Sequence, residues 1–190
     1  MVRRHTEGIV NASQIELALW FGRRNSSAIV LPRFTPAGWW ECDLWCVSRA
    51  GYATEIEIKL TVADYRRDAA KTSLMRDPNG GIRRPTSKHQ LLAAGDQRCP
   101  SRFYFAMPAD LVPLEEIPAW AGVIWAKFGK YGDVILKTAR HAPRIHSEPA
   151  RPEAIQQAWK ACYWRFWDEK RTVRNLCSEL SKVRKTQEVS

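Results

Sequence analysis

The sequence has no long apolar run. No apolar stretch in its 190 residues approaches the roughly 18 consecutive residues that a membrane-spanning helix needs. The first residues, Met1 to His5, lead into no apolar segment of the kind that a secretory signal peptide contains. We therefore expect a soluble protein, without a membrane association, that stays in the cytoplasm or in a host's cytoplasm.

Cysteine and histidine are scarce, and their spacing is unsuited to a zinc site. The five cysteines include no C-x-x-C, and the four histidines have no ligand-like spacing relative to them. Cys42 and Cys46 lie on one face of a predicted strand, about 13 Å apart, which is too far for a disulfide. The sequence predicts that the cysteines are small core residues of a protein in a reducing compartment.

Positive charge and tryptophan are abundant. Thirty Lys and Arg residues against 20 Asp and Glu give a net charge of +10, and there are nine tryptophans. Residues 41–63 form the one acidic segment, between basic segments. Such a pattern suits a protein that holds a cation while attracting a polyanion. Charge alone leaves open the alternative that the protein binds no nucleic acid, as many basic proteins do not.

Residues 41–60 predict a β-hairpin. The runs 41–48 and 52–60 alternate between apolar and polar residues and are rich in β-branched and aromatic side chains. They are separated by 49–51, which ends in Gly51. A three-residue hairpin loop needs a left-handed residue at its third position, and glycine adopts that conformation without a steric clash. With this loop Ser48 pairs with Tyr52, and the numbers of paired residues sum to 100.

This register brings acidic side chains together on one face of the hairpin. Asp43 lies opposite Glu57, and Lys59 follows on the same face. Directly paired residues are about 5 Å apart at Cβ, so the two carboxylates repel each other unless a cation lies between them. A divalent metal with oxygen ligands is the natural candidate. The other face predicts a core and carries Cys42, Leu44, Cys46, Ile56, Ile58 and Leu60.

Two carboxylates and a lysine around a divalent metal are sufficient for phosphodiester hydrolysis. The metal polarises the phosphate and activates water, while the lysine positions that water or neutralises developing charge. Glu41, opposite Lys59, and Glu55, opposite Trp45, flank the pair on the same face and are candidates for holding a second metal or supporting the first.

The spacing Asp43, thirteen residues, then Glu57-Ile58-Lys59 resembles the PD-(D/E)XK nuclease signature. Cys42 precedes Asp43 where the motif's name has proline. The resemblance covers roughly residues 10–140. Three segments that follow the motif make the chain similar to the MmcB-like group of phage and DNA-repair endonucleases. These segments are 61–68, 88–90 and 101–108.

The resemblance implies an α/β protein with a restriction-endonuclease-like mixed sheet flanked by helices. It implies a metal-dependent DNA endonuclease, bacterial or phage-encoded, that acts on single- or double-stranded DNA. Mg²⁺ or Mn²⁺ would be held by Asp43, Glu57 and the carbonyl of Ile58, and Lys59 would orient the attacking water. Family members often have an acidic residue on the first helix, which points to Glu16. They also have a Gln or Lys that faces the metal site at the position of the short helix beginning at residue 88, which points to Lys88 and Gln90.

Alternatives stay open at several of these positions. Glu16 also fits a capping box that begins at Ser13 on a helix over 6–22. The fold would also suit a catalytically degenerate protein that binds nucleic acid or recruits a partner. Basic residues after the hairpin are candidate contacts to DNA phosphates, or otherwise part of a solvated helix face and a loop; they are Arg66, Arg67, Lys71, Arg83, Arg84 and Lys88.

The C-terminal part of the chain predicts a separate helical extension. We expect a nuclease-like domain over 1–140, a linker over 141–152 and a basic, tryptophan-rich helix over 153–190. Apolar residues recur in that helix at spacings of three and four, a pattern typical of coiled coils. The helix would pack on the domain or form a homodimer. The apolar positions are Ile155, Trp159, Cys162, Phe166, Val173, Leu176, Leu180 and Val183.

Overall fold

The computed structural model describes residues 10–75 and 84–188, with side chains for all of these except 73–75, 84, 183 and 185–188. The described residues contain four α-helices, α1 (Ala12–Arg23), α2 (Val62–Asp68), α3 (Lys88–Ala94) and α4 (Pro152–Glu188), and a short 3-10 helix at Leu114–Glu116. The strands are β1 (Ser27–Phe34), β2 (Cys42–Ser48), β3 (Ala53–Ile58), β4 (Thr72–Met75), β5 (Arg84–Ser87), β6 (Arg102–Pro108), β7 (Ala121–Phe128) and β8 (Val134–Arg140).

Six strands form one mixed sheet in the order β1-β2-β3-β6-β7-β8. The three central strands β3, β6 and β7 are parallel to one another, whereas β1, β2 and β8 join antiparallel. The remaining strands, β4 and β5, pair as a separate two-stranded ribbon. This architecture confirms the predicted mixed sheet flanked by helices, with a long C-terminal helix.

The hairpin β2–β3 has the predicted register. Leu44 pairs with Ile56 and Trp45 with Glu55, so the paired numbers sum to 100. Gly51 has a φ of +83°, and its N–H donates to the carbonyl of Ser48 at 2.9 Å. The ladder ends at the pair Leu44–Ile56, and the strands separate toward the site beyond it.

Both faces of the sheet are buried at β2 and β3, where the sequence predicted a core on one face of the hairpin. The predicted core face contributes Leu44, Cys46, Ile56 and Ile58 to a cluster that includes Ile15 and Leu19 of α1. On the opposite face Trp45 belongs to a second core cluster that includes Ala158 of α4. Cys42 belongs to this second cluster, so its predicted place on the even-numbered face is wrong. The regular alternation of side chains ends where the β2–β3 ladder ends.

The first helix begins with a different cap from the one predicted. Asn11 accepts from the backbone N–H of Gln14, and the side chain of Gln14 accepts from the N–H of Asn11, both at 3.0 Å. This is a capping box one turn long, and it begins two residues before Ser13. Neither the cap at Ser13 nor its proposed partner Glu16 has that role.

The first strand, β1, continues through Pro32. β1 is an edge strand of the sheet. Proline is tolerated in an edge strand because a residue there can face solvent with its nitrogen and then needs no N–H for pairing. Arg165 of α4 donates to the carbonyls of Pro32 and Arg33 and so fixes α4 to this edge. Arg33 has a φ of +44°.

The segment between β3 and α3 supplies one side of the site. Thr61 caps α2 by accepting from the N–H of Asp64 at 3.1 Å. The helix ends at Asp68, and the ribbon β4–β5, which the sequence did not predict, follows it. The turn-rich segment 77–81 lies outside the described residues.

Candidate functional site

An open cleft of about 370 Å³ lies where β2 and β3 separate, at the carboxyl end of β3. Ligands of α/β proteins commonly bind at the carboxyl ends of parallel strands. The cleft brings together the motif residues of β2 and β3 and charged residues of α2. Its lining residues are Asp43, Glu57, Ile58, Lys59, Asp64, Arg67, Asp68 and Lys71.

Asp43 is held by the backbone of the neighbouring strand. Its Oδ2 accepts a hydrogen bond from the N–H of Ile58 at 2.7 Å, in place of a further ladder pair. Burial and then the negative charge of Glu57 raise the pKa of Asp43. Within the described part of the chain Asp43 has no ion-pair partner. An added cation between the two carboxylates would therefore relieve their repulsion.

Glu57 is almost fully buried and contacts three ammonium groups. Lys59 Nζ and Lys71 Nζ lie 3.0 and 3.2 Å from Oε2, and Lys88 Nζ lies 2.6 Å from Oε1. Burial raises the pKa of this carboxyl, but Lys88 and Lys59 outweigh it and lower the pKa to about 2. Glu57 is therefore ionised at neutral pH.

Asp68 joins Lys59 to two further side chains. Its Oδ1 lies 2.8 Å from the Nζ atoms of both Lys59 and Lys71, and its Oδ2 lies 2.8 Å from Nε2 of His89. Burial raises the pKa of Asp68, but the hydrogen bond with His89 and the charge of Lys59 lower it overall. Burial lowers the pKa of Lys59, but Glu57 and Asp68 outweigh it and raise that pKa. Lys59 therefore remains charged in a fixed position.

Lys88 is fully buried, so the prediction that it contacts nucleic acid is wrong. Its Nζ lies between two carboxylates, 2.5 Å from Glu55 Oε1 and 2.6 Å from Glu57 Oε1. Glu55 also accepts from Nε1 of Trp39 at 2.6 Å. Burial raises the pKa of Glu55 to about 7, although Lys88 opposes the shift. Because Lys88 already provides a cation between Glu55 and Glu57, Glu55 is not available for the predicted second metal.

Four other predicted residues do not line the cleft. Glu16 lies on α1, which packs on the opposite face of the sheet. Glu41, Gln90 and Arg66 are exposed and lie outside the lining. The prediction for Glu41 extended the hairpin register beyond the pair Leu44–Ile56, where the ladder ends. The predictions for Glu16 and Gln90 rested on the resemblance alone.

The remaining predicted contacts to nucleic acid divide into two groups. Arg67 lines the cleft with its side chain 79% exposed, 3.8 Å from Asp64, and Lys71 lines it with 38% exposed. Arg83 lies outside the described residues, as does the side chain of Arg84.

Asp68 and His89 are site residues that the sequence did not predict. The spacing of Asp64, Asp68 and Lys71 is typical of paired charges on one solvated helical face. The structure shows the ion pair between Asp68 and Lys71 but buries Asp68. The ring of His89 packs edge-on against Trp120, with ring centroids 5.0 Å apart.

The donor atoms in the cleft fit one divalent cation. Within the residues described, no group of three or more His, Cys, Asp or Glu side chains is arranged to hold a metal ion. An ion would instead be held by Asp43, Glu57 and the carbonyl of Ile58, all of which line the cleft. Oxygen ligands of this kind suit Mg²⁺ or Mn²⁺. The unpaired charge of Asp43 is the observation that favours this fit.

None of the helices in the described ranges is both long enough and apolar enough to span a bilayer.

Comparison with solved structures finds the SPO1766 protein of unknown function from Silicibacter pomeroyi. The TM-score is 0.52 with 20% sequence identity, over 78% of this chain and 83% of that chain. No family model matches the chain, and no curated protein matches it. At this identity the likeness establishes that the two chains share a mixed α/β fold.

Proposed function

We propose that the protein is a metal-dependent DNA endonuclease of the PD-(D/E)XK type. The observation that supports this most strongly is that Asp43, Glu57 and Lys59 line one open cleft, as the motif requires. Asp43 is half-buried, and in the described part of the chain it has no ion-pair partner, so its place beside a second carboxylate is unfavourable unless a cation binds there. The net charge of +10 over the whole chain favours a polyanionic substrate.

Each residue of the cleft has a distinct task in this proposal. Asp43 and Glu57 bind a divalent ion, which, when bound, polarises the scissile phosphate and acidifies a water molecule. Lys59 has an ammonium group fixed by Glu57 and Asp68, so that it can orient that water and neutralise charge that develops on the phosphate. Arg67 at the rim is exposed enough to contact a neighbouring phosphate.

Lys71 is the most exposed of the three lysines that contact Glu57. Its side chain is 38% exposed, whereas those of Lys59 and Lys88 are buried. Its contact with Glu57 Oε2 at 3.2 Å is also longer than that of Lys88. Lys71 can therefore leave Glu57 when a cation binds and contact a phosphate of the substrate.

A second candidate is a DNA-binding protein of the same fold without catalysis. The observation that favours it is the pairing of Glu57 with three ammonium groups, which already neutralises that carboxylate. In this case Lys59 and Lys71 would keep their places on Glu57 and no divalent ion would bind.

Metal-dependent cleavage of DNA separates the two candidates. The assay follows nicking of supercoiled plasmid and degradation of single-stranded DNA with Mg²⁺, Mn²⁺ or chelator. We expect cleavage with metal, and a loss of about 100-fold or more in Asp43→Asn. This substitution removes the charge but leaves an oxygen that can accept from the N–H of Ile58.

Glu41→Gln is the matched control. Glu41 is an exposed acidic residue two positions before Asp43 and does not line the cleft, so cleavage by this variant should equal that of wild type. Cleavage by Asp43→Asn at the wild-type rate would reject the proposed site. DNA binding by wild type without cleavage in any metal would support the second candidate.

A further inference from the structure

We propose that the outer half of α4 pairs with the same helix of a second copy of this chain. The segment in question is residues 166–182, and its apolar positions Phe166, Val173, Leu176 and Leu180 are called the seam here. The seam residues are 56–63% exposed. Every side chain from Phe166 to Lys182 is exposed, so this part of the helix extends about 25 Å without a covering element from the described chain.

The seam continues the face with which α4 packs on its own body. Ala154 and Ala158 are buried, and Ile155, Ala161 and Cys162 pack against the second core cluster. At 100° per residue, Ile155, Cys162 and Phe166 project in nearly the same direction. The first turns of α4 therefore pack this apolar face against the core of the same chain. After Arg165 the same face contacts no other element of the described chain.

The spacing of the seam favours a helix as its partner. Its residues recur at three and four positions, with Glu169 at the one seam position that is not apolar. This repeat keeps one face toward a second helix over several turns. Base stacking on nucleic acid needs aromatic rings and cations but no such repeat. A single polar residue in a seam is known to fix the register and number of helices, at a cost in stability.

The exposed area is large enough for a specific interface. Trp159 and Tyr163 flank the seam and are 55% and 57% exposed. An aromatic side chain buries about 150–250 Å², so the seam with these two rings exposes on the order of 600 Å² per helix. A pair of helices would bury about 1,200 Å², which is the lower end of the range for specific interfaces. Exposed aromatic residues are also enriched in the cores of such interfaces.

The mass of the full-length protein in solution tests this proposal. We expect light scattering at micromolar concentration to give twice the chain mass of 21.8 kDa. The double variant Leu176→Glu, Leu180→Glu places two charges in the seam and should halve the measured mass. Both residues are exposed in one chain, so the variant should keep the wild-type circular dichroism spectrum.

The matched control places the same two charges on the other side of the helix. Asn175→Glu, Ser178→Glu adds two glutamates at exposed positions away from the seam, and this variant should keep the mass of the pair. A wild-type protein of single-chain mass would overturn the proposal, as would a seam variant that keeps the doubled mass. Single-chain wild type that binds single-stranded DNA through the helix would assign the seam to nucleic acid instead. The measured quantity is the mass in solution and not DNA cleavage, so the result of this test does not depend on the proposed function.

Discussion

Three carboxylates and three lysines form a cluster at the cleft, and all of them except Lys71 are buried. Glu55, Glu57 and Asp68 alternate with lysines from the end of β3 and from the two ends of the ribbon, and the contacts are 2.5–3.2 Å long. Buried charges require such pairing because the desolvation of each ion costs several kcal/mol. Asp43 lies beside the cluster but outside its ion pairs, and that difference is the basis of the cation site that we propose.

Lys88 is the member of the cluster whose loss should be most damaging. Its side chain is fully buried between Glu55 and Glu57, so Lys88→Met leaves two buried carboxylates with less compensation. We expect the free energy of unfolding to fall by about 3–5 kcal/mol in urea denaturation. Lys71→Met, at a half-exposed position with the same partner Glu57, should cost clearly less. Equal losses in the two variants would contradict this account of the cluster.

Acid should destabilise the protein through Glu57. Its pKa is about 2 in the folded protein against an ordinary 4.5, so its ionised form is favoured by folding. This contribution is complete above about pH 4.5 and is lost as the pH falls toward about 2. At 1.36 kcal/mol per pKa unit it amounts to roughly 3 kcal/mol.

Urea denaturation in the presence of chelator, at pH values from about 6 to about 2, measures how the unfolding free energy depends on pH. In Glu57→Gln the group no longer titrates, and the fall in unfolding free energy with acid should be shallower. An unchanged slope in that variant would assign the acid sensitivity to other carboxyls.

At the scale of elements, the hairpin β2–β3 was predictable because its determinants are local. Gly51 fixed the loop, the loop fixed the register, and alternation then gave the positions of Glu55 and Glu57. The cap of α2 at Thr61 and the end of α3 at Gly95 were predictable for the same reason. Each depends on a few consecutive residues with one favoured conformation.

The ribbon β4–β5 was not predictable from local pattern. Its strands are four residues long, and their pairing depends on how α2 and α3 are placed on the sheet. The ribbon brings its two flanking lysines together, since the N–H of Lys88 donates to the carbonyl of Lys71 at 3.2 Å. Both lysines then reach Glu57. The prediction that Lys88 contacts DNA omitted this path of the chain, which buries Lys88 but leaves Lys71 at the cleft.

Gly51 provides a test of the hairpin. Its φ of +83° is unfavourable for residues with a Cβ. The space around it is not the problem, because an added Cβ would meet Pro149 Cβ at 3.7 Å, an ordinary contact. We therefore expect Gly51→Ala to cost about 1–2 kcal/mol of unfolding free energy for conformational reasons. The measurement is thermal or urea denaturation.

Gly22 is the matched control for that substitution. It lies inside α1 and has open space around a built Cβ, so Gly22→Ala should stabilise the protein by about 0.5–1 kcal/mol. A loss of stability in Gly22→Ala, or none in Gly51→Ala, would show that backbone conformation does not control these positions.

At the scale of the whole molecule, the parallel centre of the sheet determines where the site forms. Glu57 and Lys59 lie at the carboxyl end of β3, where its parallel neighbour β6 also ends. Buried clusters on both faces hold this edge in place. The sequence predicted which residues the motif contributes, but the supporting roles of Asp68 and Lys88 depend on packing between elements distant along the chain.

Binding of Mn²⁺ by the metal-free protein tests the central claim most directly, because it measures the joint action of Asp43 and Glu57 without requiring a substrate. In isothermal titration calorimetry we expect one Mn²⁺ per chain for wild type and Glu41→Gln, and at least about tenfold weaker binding for Asp43→Asn. Equal binding by wild type and Asp43→Asn, or no binding by wild type at millimolar Mn²⁺, would contradict the claim that these two carboxylates share a divalent ion.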